Sequence, residues 1–385
     1  MDNSFSSPDA PPPPPVAPPP PIISAPVPPP PRKSKGWMIF AIILIVLLIF
    51  SVFGNFAQAI SHALNFGRNF NESFAGASSQ AGPKLDEVIT KDNDSHYKIV
   101  VIPLEGIISS ATADQAGNSM VEVIGAQLDR AQRDPRVKAV LLKVDSPGGE
   151  VMASDQINRL VVKFENESDK PVICSMGSLD ASGGYYISVA SRWIVANRLT
   201  LTGSIGVIME GINYRGLMDK VGVSPIVYKS GKFKDMLSPM RETNEVPPEE
   251  HAMVQALVND TFQQFKEVVR AGRDAAHKAN GKDGQVLSPD WESYADGRVL
   301  SGQQALDLGF VDQLGDFDDA VDKAKDIAGI QNANLVEYRE RYDISDLLSM
   351  FGQSGKAPEI KLDFGVQAPK LVAGERYYLW LPPSE

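Results

Sequence analysis

The sequence predicts an α/β layered domain on a substantially parallel sheet, preceded by an N-terminal transmembrane helix. Two observations carry the layered domain. From about residue 97 onward, short β-rich apolar runs alternate with segments of helical spacing, the order that a parallel sheet with crossover helices requires. Glycine-bearing segments fall at the ends of several of those runs, where α/β folds place their sites. The membrane span rests on a third observation: an apolar stretch from Ile39 to Phe53, interrupted only by Ser51, follows directly behind Arg32, Lys33 and Lys35.

Taken in order, residues 1–35 are dominated by proline runs, Pro11 to Pro15 and Pro28 to Pro31 being the clearest. Such a segment stays extended and solvated. Counted from Gly36 to Phe56, the apolar stretch has about the length that crosses a bilayer, and the long leader and lack of a small-residue cleavage pattern favour an uncleaved signal anchor over residues 36–56. Basic residues precede it, and Arg68 is the first to follow. The positive-inside rule then keeps the N-terminus in the cytoplasm of a single-pass cell-membrane protein, with everything after residue 56 on the extracytoplasmic side. Residues 57–94 read as a juxtamembrane linker.

The patterned domain is expected over residues 95–330. Its strands are Tyr97 to Ile108, Ala139 to Val144, Val172 to Met176, Trp193 to Ala196, Ile205 to Met209 and Ile226 to Tyr228. Its helices are Met120 to Arg133, Met152 to Phe164, one opening near Ser182, a long one from Pro248 to about Gly272, Gln303 to Leu308 and Phe317 to Ala328. A polar loop is expected at 274–287. Residues 331–385 show weak periodicity and end in the apolar run Tyr377-Tyr378-Leu379-Trp380-Leu381; they read as a C-terminal extension with no assigned role.

A net charge of −11, from 48 acidic and 37 basic residues among 385, leaves no electrostatic footprint for nucleic acid. The single cysteine, Cys174, lies in the run Pro-Val-Ile-Cys-Ser-Met and reads as a buried core residue. Neither a disulfide framework nor a cysteine metal site can be built from it.

Three segments could carry chemistry. In Asp145-Ser146-Pro147-Gly148-Gly149 the paired glycines let backbone N–H groups approach a ligand, as an oxyanion would require, or simply form a tight turn. In Gly177-Ser178-Leu179-Asp180-Ala181-Ser182-Gly183-Gly184-Tyr185-Tyr186 a serine is flanked by small residues at a helix start, which suits a nucleophile and equally a helix cap. A serine nucleophile needs a base. The four histidines, His62, His96, His251 and His277, fall in a linker, at a domain edge or on a charged helix, so a His-dependent triad is disfavoured. The third segment, Lys229-Ser230-Gly231-Lys232-Phe233-Lys234-Asp235, offers three lysines, any of which serves as a base only if its surroundings lower its pKa from about 10.4. The segment alone does not choose among them.

Together, Ala181-Ser182-Gly183-Gly184-Tyr185-Tyr186, Thr202-Gly203-Ser204-Ile205-Gly206-Val207 and Ser230-Gly231-Lys232-Phe233-Lys234-Asp235, with Ala295-Asp296-Gly297-Arg298-Val299 and Leu308-Gly309-Phe310-Val311-Asp312 downstream, resemble the signal peptide peptidase A (protease IV) family of serine–lysine peptidases. The resemblance covers roughly residues 97 to 330. It implies a Clp protease/crotonase-like fold, Ser182 as nucleophile, Lys234 as general base, Ser204 orienting the lysine, and Gly149 and Gly183 as oxyanion donors. It also implies peptide substrates including cleaved signal peptides, no cofactor and no metal. One copy of the peptidase pattern matches the shorter members, which assemble into homo-oligomeric rings where a neighbouring subunit can complete the site. A crotonase-like acyl-coenzyme A enzyme, or a non-catalytic membrane scaffold of the same fold, are the rival expectations.

Overall fold

The computed structural model describes residues 82–110, 118–341 and 377–379. The expected proline-rich tail and signal anchor lie outside the described residues, and among those described no helix is long and apolar enough to cross a membrane. In chain order the elements are β1 (Leu85–Lys91), β2 (Lys98–Glu105), α1 (Met120–Arg133), β3 (Val137–Ser146), β4 (Gly148–Glu150), α2 (Val151–Ser168), β5 (Val172–Ala181), α3 (Gly183–Ser188), β6 (Trp193–Ala196), β7 (Leu201–Gly203), α4 (Arg215–Lys220), α5 (Pro248–Asn280), β8 (Val299–Ser301), α6 (Gly302–Asp307), β9 (Gln313–Leu314), α7 (Phe317–Ile327), β10 (Asn334–Glu340) and β11 (Tyr377–Leu379).

The main sheet runs β1-β10-β2-β3-β5-β6-β9. It is parallel from β10 to β9, and β1 closes one edge antiparallel to β10. Successive side chains on a strand point to opposite faces, and here both faces are covered. Ile99, Val101, Leu141 and Ile173 pack with Ala320, Val321 and Ala324 of α7. Val100, Ile102, Leu142, Val144 and Cys174 pack with Ile124 and Leu128 of α1, Ile157 and Val161 of α2, and Phe265 and Val269 of α5. Burial on two sides is why β2, β3 and β5 read as near-continuous apolar runs rather than alternating ones. Helix starts are chemically marked: Ser119 with Glu122 and Asp316 with Asp319 form capping boxes on α1 and α7, satisfying N–H groups that a helix cannot pair internally.

Four sequence expectations need correction. The sheet extends past both bounds of the expected 95–330 domain, since β1 falls in the segment read as linker and β10 in the segment read as extension; each has only seven residues, β1 is largely exposed at the sheet edge and β10 interleaves buried apolar with charged positions, so they carry little periodic signal. Ile205 to Met209 is not a strand, because Gly203 (φ +76°) and Ser204 (φ 48°) turn the chain off the sheet. Ile226 to Tyr228 also lacks a strand partner among the described residues, and Tyr228 is 94% exposed.

The long helix is the fourth correction. It runs on to Asn280 through what reads as polar loop, because Arg273 is not a surface charge. Its guanidinium is buried against Asp312, with Nη1 to Oδ2 at 2.9 Å and Nη2 to Oδ1 at 2.5 Å, while Nε donates to the Gly309 carbonyl at 3.1 Å. Asp312 also accepts from the Ile194 N–H at 2.9 Å, tying α5 to β6. Asp312→Ala strands that cation in the interior and is expected to destabilise the chain by about 3–5 kcal/mol in urea unfolding. A loss below about 1 kcal/mol would mean the pair contributes only packing.

Candidate active site

The site forms where β5 and β7 end side by side. Their last paired residues are Ala181 and Gly203, so Ser182 and Ser204 stand at consecutive positions just beyond, at the C-terminal edge of the sheet. Ser182 donates its N–H to the Gly203 carbonyl at 2.8 Å, and Ser204 donates its own to the Arg298 carbonyl at 2.8 Å. The backbone at Ser182 has φ 56° and ψ −117°, a conformation that costs a non-glycine residue about 1–3 kcal/mol and persists only where its surroundings enforce it.

Ser182 is also the residue before α3. It occupies the cap position, yet its hydroxyl makes no capping hydrogen bond. Of the two roles open to it in the sequence, cap or nucleophile, the capping contact is therefore absent. The first N–H groups of α3, that of Gly183 foremost, are left without intrahelical partners by helix geometry and give that end a partial positive charge. Gly184 must be glycine: a Cβ there would come within 2.7 Å of Asp180 Oδ1 and 3.2 Å of the Ser146 carbonyl.

Gly149 sits on β4, which packs beside α3. A Cβ at Gly149 would lie 1.9 Å from the Ile108 carbonyl oxygen. Ile108 donates to the Gly148 carbonyl at 2.9 Å and accepts from the Glu150 N–H at 2.8 Å. In an extended strand those two bonds direct the N–H and C=O of Gly149 to the opposite edge. Glu150 fastens the adjoining loop: its carboxylate accepts from the Ser109 hydroxyl at 2.8 Å and the Ser110 N–H at 2.8 Å. Burial opposes its ionisation, but those bonds outweigh it and hold the carboxyl below its usual range.

Asp180, two residues before the nucleophile candidate, is a residue that the sequence does not single out. It is fully buried; Oδ2 accepts from the Ser188 hydroxyl at 2.6 Å, linking the end of β5 to the end of α3, and Oδ1 has no partner among the described residues. Burial pushes its pKa up to about 7, despite the Ser188 bond. Glu165 is likewise raised to about 7 by burial, although Arg192 lies 3.0 Å away. A carboxyl whose folded pKa exceeds its unfolded value stabilises the fold fully below the unfolded pKa and loses that contribution as pH rises to the folded one. Urea unfolding is therefore expected to show stability falling between about pH 4 and pH 7. In Asp180→Asn the fall should be shallower by a few kcal/mol, at about 1.4 kcal/mol for each tenfold change in proton affinity, while an unchanged slope would contradict the assignment.

Lys234 is not joined to Ser182 or Ser204 by any contact within the described chain. It stands exposed on the segment between β7 and α5. That segment does separate the three lysines: Lys229 pairs with Asp235 at 2.9 Å and Lys232 with Glu249 at 2.7 Å, whereas Lys234 has no ion pair among the described residues. The described histidines are no nearer to serving Ser182. His96 and His251 are exposed, and Nδ1 of His277 meets the Gly284 carbonyl at 3.0 Å. Cys174 is buried beneath the site with its thiol pushed well up by burial.

Among known proteins, the family model of peptidase family S49 matches residues 165–331. A protein of Enterococcus faecium, provisionally named signal peptide peptidase SppA, is 36% identical over 66% of this chain and 71% of its own length. A provisionally named protease of Synechocystis is 40% identical over 60% of this chain and 75% of its own, and Protease 4 of Salmonella typhi is 33% identical over 66% and 38%. Among solved structures, a mutant of the 1510-N membrane-bound stomatin-specific protease covers 64% of this chain and 98% of its own at 15% identity, with a TM-score of 0.34.

Proposed function

We propose, from the premise that this chain belongs to peptidase family S49 and is a serine peptidase, that it cleaves apolar peptides by a Ser182–Lys234 dyad. The observation that carries this reading is Ser182 itself: a strained, buried serine past the end of a parallel strand, its hydroxyl uncommitted to the helix it precedes. In the proposed reaction a neutral lysine takes the hydroxyl proton as the serine oxygen attacks the peptide carbonyl. The amine leaves with a proton, the acyl-serine forms, and a water activated by the same lysine releases the acid. The N–H groups of Gly149 and Gly183 receive the oxyanion. Ser204, beside the serine in register, holds the lysine.

The finer reading also covers assembly and place. The segment that carries Lys234 displays Ile212, Leu217, Ile226 and Tyr228, at 83%, 63%, 81% and 94% exposure. An apolar surface of that extent calls for a partner, and a neighbouring copy in a ring would cover it while delivering its lysine to the next subunit's serine. The fold is proposed to be of the Clp protease/crotonase type. Residues 36–56 would hold the domain at the outer face of the cell membrane, where cleaved signal peptides accumulate. A fluorophosphonate probe reacted with the full chain is expected to modify Ser182, located by peptide mass spectrometry. Absence of label on Ser182 while the chain hydrolyses peptides would sink the assignment of nucleophile.

A further inference from the structure

The proposed base, Lys234, lies in a run of tight turns. Its N–H donates to the Gly231 carbonyl at 3.2 Å, that of Met236 to the Phe233 carbonyl at 3.0 Å and that of Ser238 to the Asp235 carbonyl at 3.0 Å. The next residue is a carboxylate, Asp235, yet no ion pair joins the two among the described residues, because Asp235 is committed elsewhere. Lys229 Nζ reaches both of its oxygens at 2.9 Å, and Arg241 Nη1 reaches Oδ1 at 3.2 Å. Arg241 is held in turn from the first turn of α5: its Nη2 donates to Glu250 Oε2, and Glu250 Oε1 accepts from the Leu237 N–H at 3.1 Å. Glu250 is buried, at 2% exposure, and Leu237 has φ 62°, a conformation that a leucine keeps only where its surroundings enforce it. One carboxylate on α5 thus fixes the turn at two points, through the backbone just past Lys234 and, by way of Arg241, through Asp235. Lys232, the remaining cation of the turn, is paired with Glu249 at 2.7 Å.

We infer that Arg241, locked by Glu250, is a positioning residue for Lys234: it holds the Asp235 carboxylate away from the lysine beside it and fixes the turn from which that lysine is presented. This rests on the Ser182–Lys234 reading above. The chemistry requires the separation. A lysine accepts a proton only in its neutral form, and a carboxylate within about 4–6 Å favours the ammonium. The two residues are one peptide apart, with about 3.8 Å between their Cα atoms, so a freed Asp235 carboxylate is within reach of Lys234. Arg241 rather than Lys229 decides the outcome, because its side chain is 11% exposed against 39% for the lysine. A sequestered guanidinium shared between two carboxylates is fixed in place, whereas an exposed ammonium pair contributes little.

Two readouts test this and keep it separate from the peptidase reading. In the full chain, Arg241→Gln/Glu250→Gln removes both buried charges together, so that neither is left unpaired in the interior, and leaves Asp235 to the weak hold of Lys229. Adding Asp235→Asn takes the released carboxylate away. In a Ser182→Ala background, which needs no catalysis, limiting acetic anhydride at fixed pH acylates neutral amines, and peptide mass spectrometry reads the rate at Lys234. That rate is expected to fall roughly tenfold in the double variant and to return to the parental value with Asp235→Asn. In chains that keep Ser182, kcat for a fluorogenic apolar peptide should fall and recover in the same pattern, with KM within about twofold of the parent. An equal labelling rate in all three chains would overturn the inference. So would a slowed rate that Asp235→Asn does not restore, which makes Arg241 a brace of the fold alone. If the labelling pattern holds while hydrolysis is the same in all three chains, Lys234 is not the base; the peptidase reading then fails at its lysine, and the construction of the turn stands.

Discussion

Ser182→Ala is expected to lower kcat for an apolar peptide by on the order of 10³-fold or more, because the proposed nucleophile is gone while the proposed oxyanion donors remain. KM should change little, since the hydroxyl makes no capping hydrogen bond in the free chain. Stability discriminates this residue from an ordinary structural serine. Alanine at φ 56° is as strained as serine, so its melting temperature should match the parent; Ser182→Gly relieves the strain and should be more stable by about 1 kcal/mol, yet equally inactive. Stability gained with activity lost is the signature of strain held for function. A Ser182→Ala chain keeping more than a tenth of the parent kcat in steady-state hydrolysis would remove Ser182 from the nucleophile role.

What the sequence disclosed follows from where its signals are strongest. β2, β3, β5 and their crossover helices are legible because burial on both faces forces long apolar runs, and capping residues such as Ser119 and Asp316 mark where helices begin. The edge strand β1 and its inner neighbour β10 are not, since exposure dilutes the pattern of the first and charged residues interrupt that of the second. α5 reads as ending near Gly272 because Arg273 looks solvated until its partner Asp312, distant in sequence, is placed beside it. At the site, Ser182 and its glycines are legible from small residues clustered at a strand end. Asp180 is not: a carboxyl beside the candidate nucleophile looks like a surface turn residue, and only the fold shows it sealed under α3 with one oxygen unpaired among the described residues. β11 has no signal beyond its apolar composition, because its partner β4 is a three-residue strand of Gly-Gly-Glu with no periodicity to match.

The choice of lysine and the assembly state are tested by one experiment with a numerical outcome. Lys234→Ala is expected to abolish hydrolysis as fully as Ser182→Ala, while Lys229→Ala and Lys232→Ala, which break surface ion pairs, should retain most activity because such pairs contribute about 0–1 kcal/mol. If each serine meets the lysine of a neighbouring subunit, chains carrying Ser182→Ala and chains carrying Lys234→Ala complement one another. In a randomly mixed ring, a site is intact when its serine comes from the second variant and its lysine from the first. Co-expression in equal amounts should therefore restore about one quarter of the parent activity, as the symmetry of a head-to-tail interface dictates. Intact sites cannot form this way if both groups belong to one chain, and the mixture then stays inactive. The same reasoning gives the apolar segment a reason to be exposed. Residues such as Ile226 and Tyr228 would be a liability on a monomer, but in the proposed ring they would form the surface that brings Lys234 to a neighbour's serine. Tyr228→Asp should dissociate the proposed ring in sedimentation and lose activity together with it.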